Sequence, residues 1–263
     1  MNADKELAVF DRITFIESNH TYLIDGVDTS CPSVTRLLKQ FKKKFDVDAA
    51  AARVAKRQGT TTDHIKAEWE MNSLYSTTIG SMFHKYVENF YCKKDDAYEG
   101  NFKLLGFEEK EKIKENLPKL VSYFQNFYKD YSDYENVKSE FVVGDIDDTR
   151  VCGMLDMLAY NPKSGRLELW DFKTNKKIAH STYGNLFYPF EDMCEGQINE
   201  YTIQLNTYKH FIEKYTNLRI DGMKVLWFNV VNTNYEVFEM PDIQPKIAQM
   251  LERYKATALF QEV

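Results

Sequence analysis

The sequence predicts an α/β (α+β) fold in which a central mixed β-sheet is flanked by helices. Two observations carry this. Between about residues 138 and 173 apolar residues run in short strand-like stretches separated by polar turns, whereas on either side they recur at steps of three and four. The order is helices, three strands, helix, two strands, helix, which suits a sheet covered by helices rather than a bundle or a sandwich.

At the N-terminus, Ile13, Phe15, Tyr22 and Ile24 alternate around Asn19-His20, the pattern of a short hairpin. Pro32 opens a helix start with Ser30 or Ser33 as cap, and Val34, Leu37, Leu38 and Phe41 follow at helical spacing. An Ala-rich helical stretch runs from Val47 to about Met71 with Gly59 as a break. Residues 79–93 carry the stripe Met82, Phe83, Tyr86, Val87, Phe90, and 107–131 the stripe Leu117, Leu120, Val121, Phe124, Phe127. Strands are then expected at 138–143, 150–159 and 166–173, with turns at 145–148 and 161–165. An aromatic-rich loop (183–193), a helix from Gln197 to Tyr215, strands at 222–230 and 234–239 and a helix at 241–258 complete the chain. A division into an N-terminal hairpin and helical extension (1–78) and a core (79–263) follows from this order.

Composition narrows the class. With 263 residues, 43% hydrophobic and 28% charged, the chain has enough apolar surface for a buried core. No basic n-region precedes an apolar run at the start, and no 18-residue apolar stretch occurs, so neither a secretory signal nor a membrane span is expected. A cytoplasmic protein is the expectation. Net charge is −6, opposite in sign to a simple basic DNA-binding protein, although a carboxylate-built metal centre contributes to that charge. Cys31, Cys92, Cys152 and Cys194 form no CxxC pair, so reduced cysteines are expected rather than a zinc or iron–sulfur site.

The chemistry concentrates at Gly153-Met154-Leu155-Asp156 and Asp171-Phe172-Lys173 on two neighbouring strands. Residues i and i+2 of a strand face the same side, so Asp171 and Lys173 point together, and a suitable hairpin register adds Asp156. Two carboxylates and an ammonium among apolar neighbours are costly unless they serve one another or a metal. Oxygen donors of this kind suit Mg2+ or Mn2+, which would polarise a phosphate, with Lys173 orienting a nucleophile or offsetting developing charge. Strand-end salt bridges are the competing reading of the same three residues. His84 and Glu88, spaced i and i+4 on one helix, are placed to face one cavity. Gln204 and Tyr208 share that spacing on a later helix, and Glu140 lies on the first strand of the set.

In chain order these residues, Gly80/His84/Glu88, Glu140, Gly153/Asp156, Asp171/Lys173 and Gln204/Tyr208, resemble the RecB-like branch of the PD-(D/E)XK nuclease superfamily. The segment spans about half the chain. The resemblance implies a restriction-endonuclease-like core and Mg2+-dependent hydrolysis of DNA, with Mn2+ as a substitute. It implies Asp156, Asp171 and the Phe172 carbonyl as metal ligands, His84 as a helix-borne ligand or its orienter, and Lys173 as the catalytic lysine. Gln204 and Tyr208 are implied to brace the site and hold the DNA backbone, and Glu140 and Glu88 to support the ligands or a second metal. His20-x-Tyr22 and Pro32-Ser33-Val34-Thr35 are further similar to the mitochondrial genome-maintenance exonuclease and its phage and bacterial relatives, which implies action on single-stranded DNA ends. With no transit peptide at the start of the chain, a bacterial or phage setting is the expectation. Some RecB-like nucleases carry a four-cysteine cluster, but the downstream cysteine triplet it needs is missing here.

Phosphate and base contacts are expected from Lys176 and Lys177, which directly follow the DxK strand. Further candidates are Lys39, Lys42, Lys43, Lys44, Arg53, Lys56 and Arg57, with Trp69, Tyr75, Tyr183, Phe187 and Tyr188 as stacking aromatics. The function expected is thus a single-strand-preferring exonuclease. A structure-dependent endonuclease and an inactive binding module on the same fold are the alternatives.

Overall fold

The computed structural model describes residues 3–17, 19–98, 100–178 and 180–259; the side chains at 28–30, 180–183 and 258–259, including Tyr183 and the expected cap Ser30, lie outside that description. A short helix α1 (Ala3–Leu7) leads into β1 (Ile13–Ile16) and β2 (Thr21–Ile24), which pair antiparallel with Ile13 opposite Ile24 and Phe15 opposite Tyr22. The expected hairpin is therefore present, and β3 (Val27–Cys31) extends it to three strands. Helix α2 (Val34–Leu38) starts where expected, because Ser33 Oγ accepts the Arg36 N–H at 3.1 Å.

Helix α3 (Val47–Gln58) is capped by Asp46 and ends at Gly59, whose φ of +67° suits a residue without a Cβ. Helix α4 (Thr62–Cys92) then runs unbroken for 31 residues, about 46 Å at 1.5 Å per residue. The sequence suggested two helices with a gap near 72–78. Nothing in that stretch breaks a helix, so the two are one, and the 78/79 boundary falls within it. Its C-terminal half carries Ile79, Phe83 and Val87 into a core shared with α5 and one face of the central sheet, while its start holds α3 through a small cluster of Ala51, Ala55 and Ile65. Helix α5 (Phe107–Asp130) packs beside α4.

β4 (Glu135–Gly144), β5 (Cys152–Asn161) and β6 (Arg166–Lys173) form an antiparallel meander. Asn161 closes the β5–β6 turn, its Oδ1 accepting the Lys163 N–H at 3.0 Å, while Gly165 takes φ +69°. The 183–193 loop is bracketed by β7 (His180–Asn185) and β8 (Cys194–Gly196), a two-stranded ribbon not foreseen from the sequence. Helix α6 (Gln197–Tyr215) follows and returns the chain to β9 (Ile220–Trp227), parallel to β6. β10 (Glu236–Glu239) and α7 (Gln244–Leu259) finish the fold.

The central sheet has the order β10-β9-β6-β5-β4, one parallel pair among antiparallel ones, so the expected mixed sheet between helices is what forms. Alternate residues of β6 feed two cores: Leu167 and Leu169 join Ile203, Tyr208 and Phe211 of α6, whereas Trp170 and Phe172 join Phe83, Phe124 and Phe127 of α4 and α5. The small sheet shares the first core, since Ile13, Tyr22 and Ile24 cluster with Phe141 and Val143.

Candidate metal centre

The site lies where β5 and β6 part. Their ladder reaches Met157↔Trp170 and stops one residue short of a pair between Asp156 and Asp171. There the Asp156 side chain replaces the ladder, Oδ2 accepting the Phe172 N–H at 2.7 Å. The partner strand is irregular at the same level. Glu140, opposite Asp156 by the flanking pairs Ser139↔Met157 and Phe141↔Leu155, has φ +46°, a strained backbone for a residue with a Cβ. On β5, Leu155 and Met157 feed opposite cores although only two residues apart, so the alternation breaks at Asp156. These departures turn both carboxylates toward α4.

From α4, His84 meets them: its Nδ1 is 3.6 Å from Glu140 Oε1 and 3.7 Å from Asp156 Oδ1. One donor atom from each of His84, Glu140 and Asp156 fits within 4.8 Å of the others. Gly80, one turn earlier on α4, allows the close approach, since a Cβ there would lie 3.1 Å from Thr174 Oγ1 just beyond β6. Beside this trio, Lys173 Nζ sits 2.6 Å from Asp171 Oδ2. This oxygen is fully buried, and the Lys173 ammonium is the one charge in contact with it among the described residues.

Asp156 and Asp171 are buried close together, while the His84 and Glu140 side chains keep some exposure. Burial pushes Asp171 up to about 6, only partly countered by Lys173, and the neighbouring Asp156 charge adds to the rise. Asp156 is raised as well, chiefly by burial. Burial works to lower His84, but Asp156 and then Glu140 outweigh it and carry the imidazole up to about 9. Lys173 is likewise opposed by burial and held charged by Asp171 and Asp156. A proton on His84 thus supplies a positive charge that the carboxylates demand.

This donor set fits a divalent cation. Two carboxylates and an imidazole converge, and the buried Asp171 carboxylate lies beside them with only Lys173 in ion-pair contact among the described residues. Oxygen-rich donors favour Mg2+ or Mn2+, with the imidazole inclining toward Mn2+. Of the expected ligands, His84 and Asp156 are in the cluster, whereas Asp171 faces Lys173 beside it. Glu140, expected to play a supporting part, is a full member.

Glu88 departs from expectation. It accepts from Lys85 at 3.0 Å and Lys94 at 3.1 Å and is not one of the three converging donors. Gln204 and Tyr208 are both buried, with Gln204 Nε2 donating to Tyr208 Oη at 2.9 Å. The Tyr208 ring closes over Gly153, so the pair braces the strand that carries Asp156, and burial of Tyr208 keeps it from the surface contact the resemblance implied. Lys176 and Lys177 are exposed, with no ion pair among the described residues. Tyr75 is taken up by α5, its hydroxyl accepting from Asn116 at 2.9 Å, and Lys42 pairs with Glu200 at 2.7 Å. Phe187 and Tyr188 are about half exposed.

Two further residues at the site, Tyr201 and Asn175, are not among those the sequence singles out. Tyr201 places its ring 5.0 Å from Lys173 Nζ and donates its hydroxyl to Asn175 Oδ1 at 2.8 Å. The Asn175 carbonyl in turn accepts from Trp227 Nε1 at 2.7 Å and Asn229 Nδ2 at 2.8 Å. Only the i, i+3 relation of Tyr201 to Gln204 on α6 hinted that it shares the site-facing side.

No family model and no curated protein matches the chain. A solved structure described as "Crystal structure of SSO0001" is similar at 11% identity over 72% of this chain and 85% of its own, with a TM-score of 0.30, a likeness that carries no argument about fold or function.

Proposed function

We propose that this chain is a Mg2+-dependent deoxyribonuclease that hydrolyses phosphodiester bonds, acting as an exonuclease on single-stranded ends. The observation that supports it most is the convergence of His84, Glu140 and Asp156 beside the Asp171–Lys173 pair, where two strands part. Buried charges of both signs at a gap in a ladder are costly to fold, and chemistry on a charged substrate accounts for that cost.

A bound Mg2+ supplies polarisation of the phosphate and lowers the pKa of water. The chain's own residues do the rest. His84, Glu140 and Asp156 would hold the cation, and the two carboxylates, from the same place, can accept a proton from an attacking water. Lys173 stays protonated, so it acts as a fixed positive charge toward the phosphate oxygens and not as a base. Water adds at phosphorus, the bond to the leaving nucleotide oxygen breaks, and that oxygen takes up a proton. Lys176 and Lys177, exposed on the segment that Asn229 holds by the Asn175 and Lys176 carbonyls, are placed for backbone phosphates.

The test is incubation of end-labelled linear and circular single-stranded DNA with and without Mg2+, beside Lys173→Ala. Cleavage of the linear strand only, abolished by chelation and by the substitution, supports the proposal. Cutting of the circle rejects strict exonuclease action in favour of an endonuclease. Binding without cleavage by the parent rejects enzymatic function.

A further inference from the structure

We infer that Tyr201 is a positioning residue for Lys173: its ring holds the ammonium in place by a cation–π contact, and its hydroxyl ties that ring to the segment following β6. This inference rests on the nuclease reading for its catalytic consequence, but not for its structural content.

Two side chains touch the Lys173 ammonium, Asp171 Oδ2 at 2.6 Å and the face of Tyr201 at 5.0 Å, while Asp156 adds its charge from nearby. The ion pair is the stronger contact, but it fixes the ammonium from one side only. The aromatic face bounds it from a second direction. A four-carbon side chain with several free torsions needs a second fixed wall to keep one conformation, and Tyr201 is that wall.

Tyr201 is itself fixed from both sides. Helix α6 carries its backbone one turn before Gln204, which is bonded to the buried Tyr208. At the far end the hydroxyl reaches Asn175, whose carbonyl is held by Trp227 and Asn229 from the neighbouring β9 and the segment after it. The lysine is thus referenced to α6 and β9 as well as to its own strand. Tyr201 is a positioning residue because it touches Lys173 and not the cation cluster.

The test compares Tyr201→Phe, which keeps the ring and loses the bond to Asn175, with Tyr201→Leu, which loses both. In protein labelled with 13C at lysine, with the Lys173 resonance assigned by its loss in Lys173→Arg, ring current shifts the ε-methylene signal upfield in the parent and in Tyr201→Phe. In Tyr201→Leu the signal returns to the ordinary lysine position. In steady-state cleavage, Tyr201→Leu lowers kcat roughly tenfold with KM within about twofold, and Tyr201→Phe restores kcat to within about threefold of the parent. Mn2+ affinity is unchanged in both variants. An unshifted Lys173 signal in the parent, or one unmoved by Tyr201→Leu, overturns the inference whatever the activity. A parent that shows the ring-current shift but cleaves no phosphodiester leaves the packing claim standing and overturns the nuclease reading and the catalytic consequence with it.

Discussion

Tyr208 and Gly153 fit so closely that a Cβ built on the glycine would lie 2.4 Å from the tyrosine ring. The contact joins α6 to the strand bearing Asp156, and it explains why the residue three positions before Asp156 has no side chain. Gly153→Ala must displace a buried ring or bend β5. A loss of about 1–3 kcal/mol is expected, read as a lower melting temperature, with weakened Mn2+ binding because Asp156 moves too. Unchanged stability and metal affinity would show that the close fit is not needed.

Thr78 gives a prediction of the opposite sign. Its hydroxyl is fully buried in α4 with no hydrogen-bond partner among the described residues. Thr78→Val keeps the branched shape and removes the unmet polar atom, so the protein should gain up to about 1 kcal/mol. Thermal melts check this, and a loss of stability would mean that the hydroxyl is satisfied in solution.

The cation-free protein should lose stability as pH rises. Asp171 is raised to about 6 from an unfolded value near 4, so its contribution is complete below about pH 4 and is lost through pH 6. His84 is raised to about 9, so its contribution is complete below about pH 6.5 and is lost through pH 9. Melting temperatures at pH 5, 7 and 9 should therefore fall in EDTA. Mn2+ should oppose the fall, since metal replaces the protons and its affinity grows over the same range. A flat profile in EDTA would contradict the assigned electrostatics.

Lys176 and Lys177 are expected to act through charge alone. Replacing both by Ala should weaken binding of a labelled single strand by a similar factor for every sequence. The slope of log K against log salt should shrink by about 1.4. Fluorescence anisotropy across a salt series measures both quantities, and an unaltered slope would remove these lysines from the interface.

Much of the site was legible because it is local. Asp171 and Lys173 share a face by strand period, and the Asn161–Gly165 turn brings Asp156 opposite, so the hairpin could be read directly. The inward turn of Glu140 could not, because it depends on a positive φ at one position of a long strand. For Glu88, helical spacing sets which residues are neighbours, but the partners Lys85 and Lys94 decide which way the carboxylate turns. The unbroken α4 was missed because a polar stretch without Gly or Pro reads as a loop by hydropathy and as a helix by propensity. Tyr201 and Asn175 were invisible, since their relation exists only once α6 crosses the end of β6.

The most direct measurement is electron paramagnetic resonance of Mn2+ titrated into the parent and into Asp156→Ala near pH 8. The account predicts a bound-ion signal in the parent, displaced by excess Mg2+ and lost in Asp156→Ala with the fold intact by circular dichroism. Equal Mn2+ uptake by the two proteins would contradict a metal centre built from His84, Glu140 and Asp156.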